Sequence, residues 1–157
     1  MSHSTIDLAP YTETYHQLKR AIAGLSKDQL SWKAAPDKWS VTEVLSHLAD
    51  HSIVFSFRVR KLISEQEVLL PTFEQDPWVL HSKANEGDAA DYLDLFGAVV
   101  KFNYELFQRL TAEDWQKSGT NVQGQSVSVE QSYQAFIQHV QTHLRQIERI
   151  KLALSKS

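Results

Sequence analysis

Apolar residues recur at helical spacing in four long stretches of this 157-residue chain, a repeat that points to an all-α fold. The first stretch runs from about Leu8 to Ala23, with Tyr11, Tyr15, Leu18 and Ile22 on one face and Gly24 just beyond its end. The second is announced by Ser40 with Glu43, spaced as a capping box, and by Trp39 with Val44, placed as a hydrophobic staple. It carries Val41, Val44, Leu45, Leu48, Phe55 and Leu62 and ends near Ser64. The third runs from about Asp88 to Leu110, with Tyr92, Leu95, Phe96, Val99, Phe102, Leu106 and Leu110 expected inward. The fourth opens at Ser128, paired with Gln131, and continues to about Leu154.

Four amphipathic helices in a chain of one-domain size predict a four-helix bundle over residues 1–157. Five glycines and four prolines are few, and they read as punctuation outside the long helices. Ser26 with Gln29 and Thr111 with Asp114 mark single helical turns, and 118–126 reads as a loop or small hairpin. Residues 65–87, which hold Pro71 and Pro77, form the longest irregular stretch, with a short helix expected from Trp78 to about Lys83. Long connections before the third and fourth helices favour crossover topology over a plain up-down series.

Charge and composition exclude several function classes. The net charge is -3, and the only basic clusters, Lys19-Arg20 and Arg58-Val59-Arg60-Lys61, fall near predicted helix ends, where they complement the dipole. A nucleic-acid partner is therefore not expected. No apolar run approaches the roughly 20 residues that span a bilayer. The opening residues show no basic segment followed by an apolar one, so a soluble cytoplasmic protein is the expectation. Cysteine is absent, which removes disulfides, thiolate ligands and a protein sulfur nucleophile together.

What remains for chemistry is histidine. His139 and His143 are four apart in Phe136-Ile137-Gln138-His139-Val140-Gln141-Thr142-His143-Leu144, beside the apolar face of the fourth helix. Such a pair lies on one helix face at about 5–6 Å between Cβ atoms and can turn both rings toward one cation. Hydrogen bonds to Tyr133 or Gln146 could satisfy the same rings instead. A third ligand is available on the second helix from His47, with His51 one turn on as a competitor. Asp50 could accept from an imidazole N–H and set its tautomer. His3, His16 and His81 have no partner at ligand spacing and are expected at the surface.

Three ordered segments resemble the DinB/YfiT-like superfamily of metalloproteins. These are Trp39-Ser40-Val41-Thr42-Glu43-Val44-Leu45-Ser46-His47-Leu48-Ala49-Asp50, then Phe73-Glu74-Gln75-Asp76-Pro77-Trp78, then Gly124-Gln125-Ser126-Val127-Ser128-Val129 followed by His139-x-x-x-His143-Leu144-x-Gln146-Ile147. The resemblance implies a four-helix bundle that holds a divalent metal, zinc or nickel, on His47, His139 and His143, and so prefers His47 to His51. It also implies a metal-dependent hydrolase, or a transferase or isomerase that uses a low-molecular-weight thiol such as bacillithiol or mycothiol, and a homodimer. This chain has Phe73-Glu74 where YfiT-type relatives tend to carry Tyr-Asp.

Three neutral imidazoles with open coordination positions are the pattern of a catalytic metal site rather than a closed structural one. Hydrolysis would call on Glu74 or Asp76 as general base. Arg58, three turns after His47, could meet an anionic cosubstrate or pair with a bundle neighbour, and Trp39 and Trp78 could line the pocket mouth. The alternative is a non-enzymatic helical module whose histidines are structural or bind metal without turnover.

Overall fold

The computed structural model describes residues 5–157, and its main elements are four long helices joined by two elaborate crossovers. In chain order the elements are α1 (Ala9–Ile22), α2 (Lys27–Ser31), α3 (Val41–Ser64), α4 (Gln75–His81), α5 (Ala89–Arg109), α6 (Ala112–Trp115), β1 (Ser118–Thr120), β2 (Ser126–Ser128) and α7 (Val129–Ser155), with α1, α3, α5 and α7 the long helices. A 3-10 turn, Ala84–Glu86, sits between α4 and α5. The capping boxes expected at Ser26/Gln29, Ser40/Glu43 and Ser128/Gln131 all form, and Thr111 with Asp114 closes a fourth. No helix of the described residues is long and apolar enough to cross a membrane.

Around the bundle the order is α1, α5, α3, α7, each helix packing on the next and α7 returning to α1. Side-chain pairs give the directions. Tyr11 meets Tyr133, Gln17 meets Gln141 and Lys151 donates to the carbonyl of Ala21, so α1 and α7 are parallel. Ser46 lies beside Tyr92, and Ser56 and Arg60 bond Asn103, so α3 and α5 are parallel too. The parallel pair α3 and α5 forces the long return of residues 65–88, and residues 110–128 cross between the diagonal helices α5 and α7.

An aromatic layer formed by Tyr11, Phe55, Phe107, Tyr133 and Phe136, with ring centroids 4.5–6.2 Å apart, fills the centre. Asn103 is the polar exception in this core. Its Nδ2 donates to Tyr11 Oη and Ser56 Oγ, and its Oδ1 accepts from Arg60 Nη1, tying three helices together.

Three expectations need correction. The inward face of α5 is Leu93, Phe96, Val100, Asn103 and Phe107, whereas Leu95 and Phe102 are exposed. Apolar residues on both sides of this helix blurred its face, and a buried asparagine lies where a periodicity argument wants a hydrophobe. Gly97 lies inside α5, because the ring of Tyr15 occupies the space where its Cβ would be, 2.5 Å from the nearest carbon. Its propensity cost of about 1 kcal/mol is exchanged for close approach of α1 and α5. Finally, α4 begins at Gln75 rather than Trp78, since Pro77 is tolerated in a first turn whose N–H groups need no helical acceptor.

The chain crossing 65–74 is anchored by a ladder beside the hairpin: Leu70 N–H donates to Thr120 O and Thr120 N–H to Val68 O, both at 2.8 Å. Gly119 permits this, because a Cβ there would stand 2.9 Å from the carbonyl of Val68.

Replacing Asn103 with Ala should lower unfolding free energy by about 2–4 kcal/mol in denaturant titration, since buried partners left unpaired cost about 1–3 kcal/mol each. A loss below about 0.5 kcal/mol would mean that Asn103 does not hold the three helices.

Candidate metal centre

Antiparallel packing of α3 on α7 builds the site. His47 lies opposite His143, His51 opposite His139 and Phe55 opposite Phe136, one helical turn per step along the seam. All four imidazoles therefore face the same line. The N-terminal half of α3 is buried on every side, from Val41 to Ala49. Connector residues wrap it: Thr42 Oγ1 donates to Leu30 O, Lys33 pairs with Glu43, and Ser40 Oγ donates to Asn85 Oδ1.

His47, His139 and His143 converge, with one ligand nitrogen from each lying within 4.8 Å of the others. Nε2 of His139 is 3.1 Å from Nε2 of His47 and 3.0 Å from Nε2 of His143. Two nitrogens bound to one ion at about 2.0–2.1 Å, with bond angles of about 90–110°, sit about 2.8–3.4 Å apart. The trio thus has the separation that a shared divalent cation requires. Nδ1 of His143 donates to Gln146 Oε1 at 2.7 Å, which leaves the lone pair on Nε2, toward the other rings. Gln146, one of the alternatives open in the sequence, is the residue that orients a ligand. Tyr133 is not; its hydroxyl donates to the carbonyl of Asp7.

Burial and mutual repulsion keep these rings neutral. Desolvation, then the neighbouring His143 and His139, pushes His47 down to about 3, and desolvation with His143 and Arg58 takes His139 to about 4. His143 is lowered by burial against the opposing pull of Gln146. Neutral imidazole is the metal-ligating form, so the fold has prepared the donors. The Nδ1 atoms of His47 and His139 are buried with no hydrogen-bond partner among the described residues.

His51 is half-buried, stacked on Phe136 with its ring centre 4.0 Å from that of His139, yet it stands outside the convergent trio. Desolvation first, then His139 and His47, lowers it to about 2. Asp50 forms no hydrogen bond to any imidazole among the described residues; it lies near Tyr92, and burial raises it. One helical step carries it to the α5 side of α3. His16 and His81 are exposed, and His3 lies outside the described residues.

Aromatic rings close the site. Trp39 lies against His47 and His143, Phe73 stacks on His47, and Trp78 packs on Phe73 at 4.7 Å. Trp78 thus reaches the imidazoles only through Phe73, a residue whose position in an irregular segment gave no periodic signal. On the other side a cavity of about 370 Å³ opens at His139 and His51, with Arg58 and Thr72 in its wall and no carboxylate lining it. Glu74 and Asp76 are exposed and neither lines this cavity; Glu74 is the N-cap of α4. Arg58 has no acidic partner among the described residues; its Nε donates to the carbonyl of Pro71 at 2.8 Å.

A family model described as the DinB superfamily matches residues 11–147. The chain belongs to the DinB superfamily. Relatives in Bacillus licheniformis (27% identical, covering 85% of this chain and 76% of the relative) and Oceanobacillus iheyensis (24%, covering 92% and 82%) are named, provisionally, as metal-dependent hydrolases. The fold matches YfiT from Bacillus subtilis with a TM-score of 0.87 at 16% identity, covering 99% of this chain and 93% of that one. YfiT is described as a provisional metal-dependent hydrolase with an unusual four-helix-bundle topology. The mycothiol-dependent maleylpyruvate isomerase matches with a TM-score of 0.69 at 11% identity, over 87% of this chain and 57% of that chain. These likenesses confirm the bundle expected from the sequence.

A folded-state histidine pKa below the unfolded value near 6.5 means that the unfolded chain binds more protons in acid. The metal-stripped protein should therefore keep its full stability above about pH 6.5 and lose it toward pH 4. Thermal melts across that window should fall by more than about 5 °C. A variant with His139 and His143 both replaced by Gln should show a shallower slope; equal slopes would mean that the rings titrate normally.

Proposed function

We propose that this protein is a metal-dependent enzyme that transfers the sulfur of a low-molecular-weight thiol to a small electrophile, using one divalent cation, zinc or nickel, on His47, His139 and His143. The observation that carries the metal reading is the approach of three Nε2 atoms in a buried, neutral cluster. A cation held there supplies Lewis acidity, favouring the thiolate form of a bound thiol or the hydroxide form of a bound water.

The residues around the cluster perform the remaining tasks. Gln146 holds the His143 ring in the ligating tautomer. Trp39 and Phe73 exclude water from the His47 side, and the cavity at His139 leaves one approach for a small molecule. No carboxylate lines that cavity, so general-base activation of water lacks the group that hydrolysis would call on. A thiol cosubstrate brings its own nucleophile, which a chain without cysteine needs. Hydrolysis is the second reading, favoured by the names of the relatives, and Glu74 or Asp76 would have to move to serve it. The non-enzymatic module is disfavoured because the next imidazole, His51, lies outside the trio and does not close it. A reduced thiol pool places the reaction in the cytoplasm.

Self-association belongs to the same proposal. α3 and α5 leave Ile53, Phe57, Leu95 and Phe102 about half exposed, apolar surface that supports a homodimer through this face. Replacing Phe57 and Phe102 with Glu should halve the mass measured by light scattering; an unchanged mass would reject this face.

Protein purified without chelator should contain about one zinc or nickel per chain by elemental analysis, and the His139→Ala, His143→Ala double variant essentially none. Full metal content in that variant would reject the trio. In a screen of thiols against an electrophilic probe, conjugation should stop when a chelator removes the metal. Thiol-independent ester cleavage by the loaded protein would move the assignment to hydrolysis.

A further inference from the structure

Among the described residues, Arg58 is the one charged group in the wall of the cavity that opens at His139. It follows His47, His51 and Phe55 along one face of α3, and helical side chains lean toward the N-terminus, so its guanidinium reaches back toward the histidines. Its positive charge bears on both His51 and His139, which places it within electrostatic range of the cluster. The guanidinium is half-buried, and desolvation lowers its pKa with no carboxylate acting on it.

The position is built rather than incidental. Nε donates to the carbonyl of Pro71, and the neighbouring Leu70 is fixed to Thr120 through its backbone N–H. The two terminal nitrogens form no hydrogen bond within the described residues. A half-buried cation held this way, with its fork unused, is matched by an anion from outside. The cavity holds no second cation, which suits a monoanion rather than a phosphate dianion. Thr72 and Ser132 line the same wall with hydroxyls that have no partner among the described residues, while Phe55 and Phe136 supply apolar walls. A volume of about 370 Å³ lies at the small end of ligand pockets.

We propose that this cavity selects a small molecule with an apolar body and a single carboxylate, and that Arg58 binds the carboxylate through its terminal nitrogens while the rest of the molecule extends toward His139. This deepens the transferase reading by naming the substrate class, and it rests on that reading only for the end of the ligand that faces the histidines.

The test compares 4-phenylbutyrate with its primary amide, 4-phenylbutyramide, by calorimetric titration of the metal-loaded protein. The carboxylate should bind about tenfold or more tightly than the amide, the scale of a charge-assisted hydrogen bond. Arg58→Gln should abolish the preference while keeping metal content and melting temperature, and Arg58→Lys should restore part of it. His143→Ala, which removes a ring that does not line the cavity, should lose metal and keep the preference. That arm separates failure of the metal reading, seen in metal content, from failure of the carboxylate site. Equal affinity for the two probes, or no binding of either, would overturn the proposal. A preference that persists in Arg58→Gln would place the carboxylate on the metal and overturn it as well.

Discussion

The antiparallel register of α3 against α7 is the constraint from which the rest of the molecule follows. Stacked Phe55 and Phe136 lock the seam at the bundle centre, and each turn away from them places one more pair of imidazoles opposite each other. A slip of one residue would rotate both helices by about 100° and carry the rings off this line. Register here is set by apolar contacts, so the same interactions that hold the core also position the donors. Few polar contacts are needed near the rings because packing already restricts them.

Neutrality is the second result of that packing. Four imidazoles crowded between aromatic walls cannot all be charged, and burial moves them in the direction that metal binding requires. The unpartnered Nδ1 atoms of His47 and His139 are a cost the fold carries at this point. Such uncompensated groups collect where function, rather than stability, selects the residue. His143, by contrast, has its outer nitrogen satisfied by Gln146, so the three donors are not held equally.

Most of the helical plan could be read from the chain because capping residues and apolar spacing are local signals. Ser40 with Glu43 and Ser128 with Gln131 mark the starts of α3 and α7 to the residue. The i,i+4 spacing of His139 and His143 suggested a site and the resemblance preferred His47 to His51; the fold brings the His47 ring to the other two. What could not be read depends on distant partners. Gly97 answers to Tyr15, Asn103 answers to Tyr11, Ser56 and Arg60, and Phe73 matters only because the crossover brings it over His47. Asp50 is one residue before His51 in the sequence, yet the helix turns it to another side. For Arg58 the chain alone left both a ligand contact and an ion pair open, and its neighbour proved to be a backbone carbonyl.

The parallel pairing of α3 with α5 has a consequence for how such proteins diversify. A chain that must travel back along the whole bundle before starting its next helix has to lay a long strap across the outside, and here the strap of residues 65–88 passes over the imidazoles. It contributes Pro71, Thr72 and Phe73 to the surroundings of the rings, while Val68 and Leu70 pin its start into the core. Insertions and substitutions in that strap can reshape what enters while the four helices and the imidazole trio stay as they are. Topology thus separates the part of the molecule that holds an ion from the part that chooses its company.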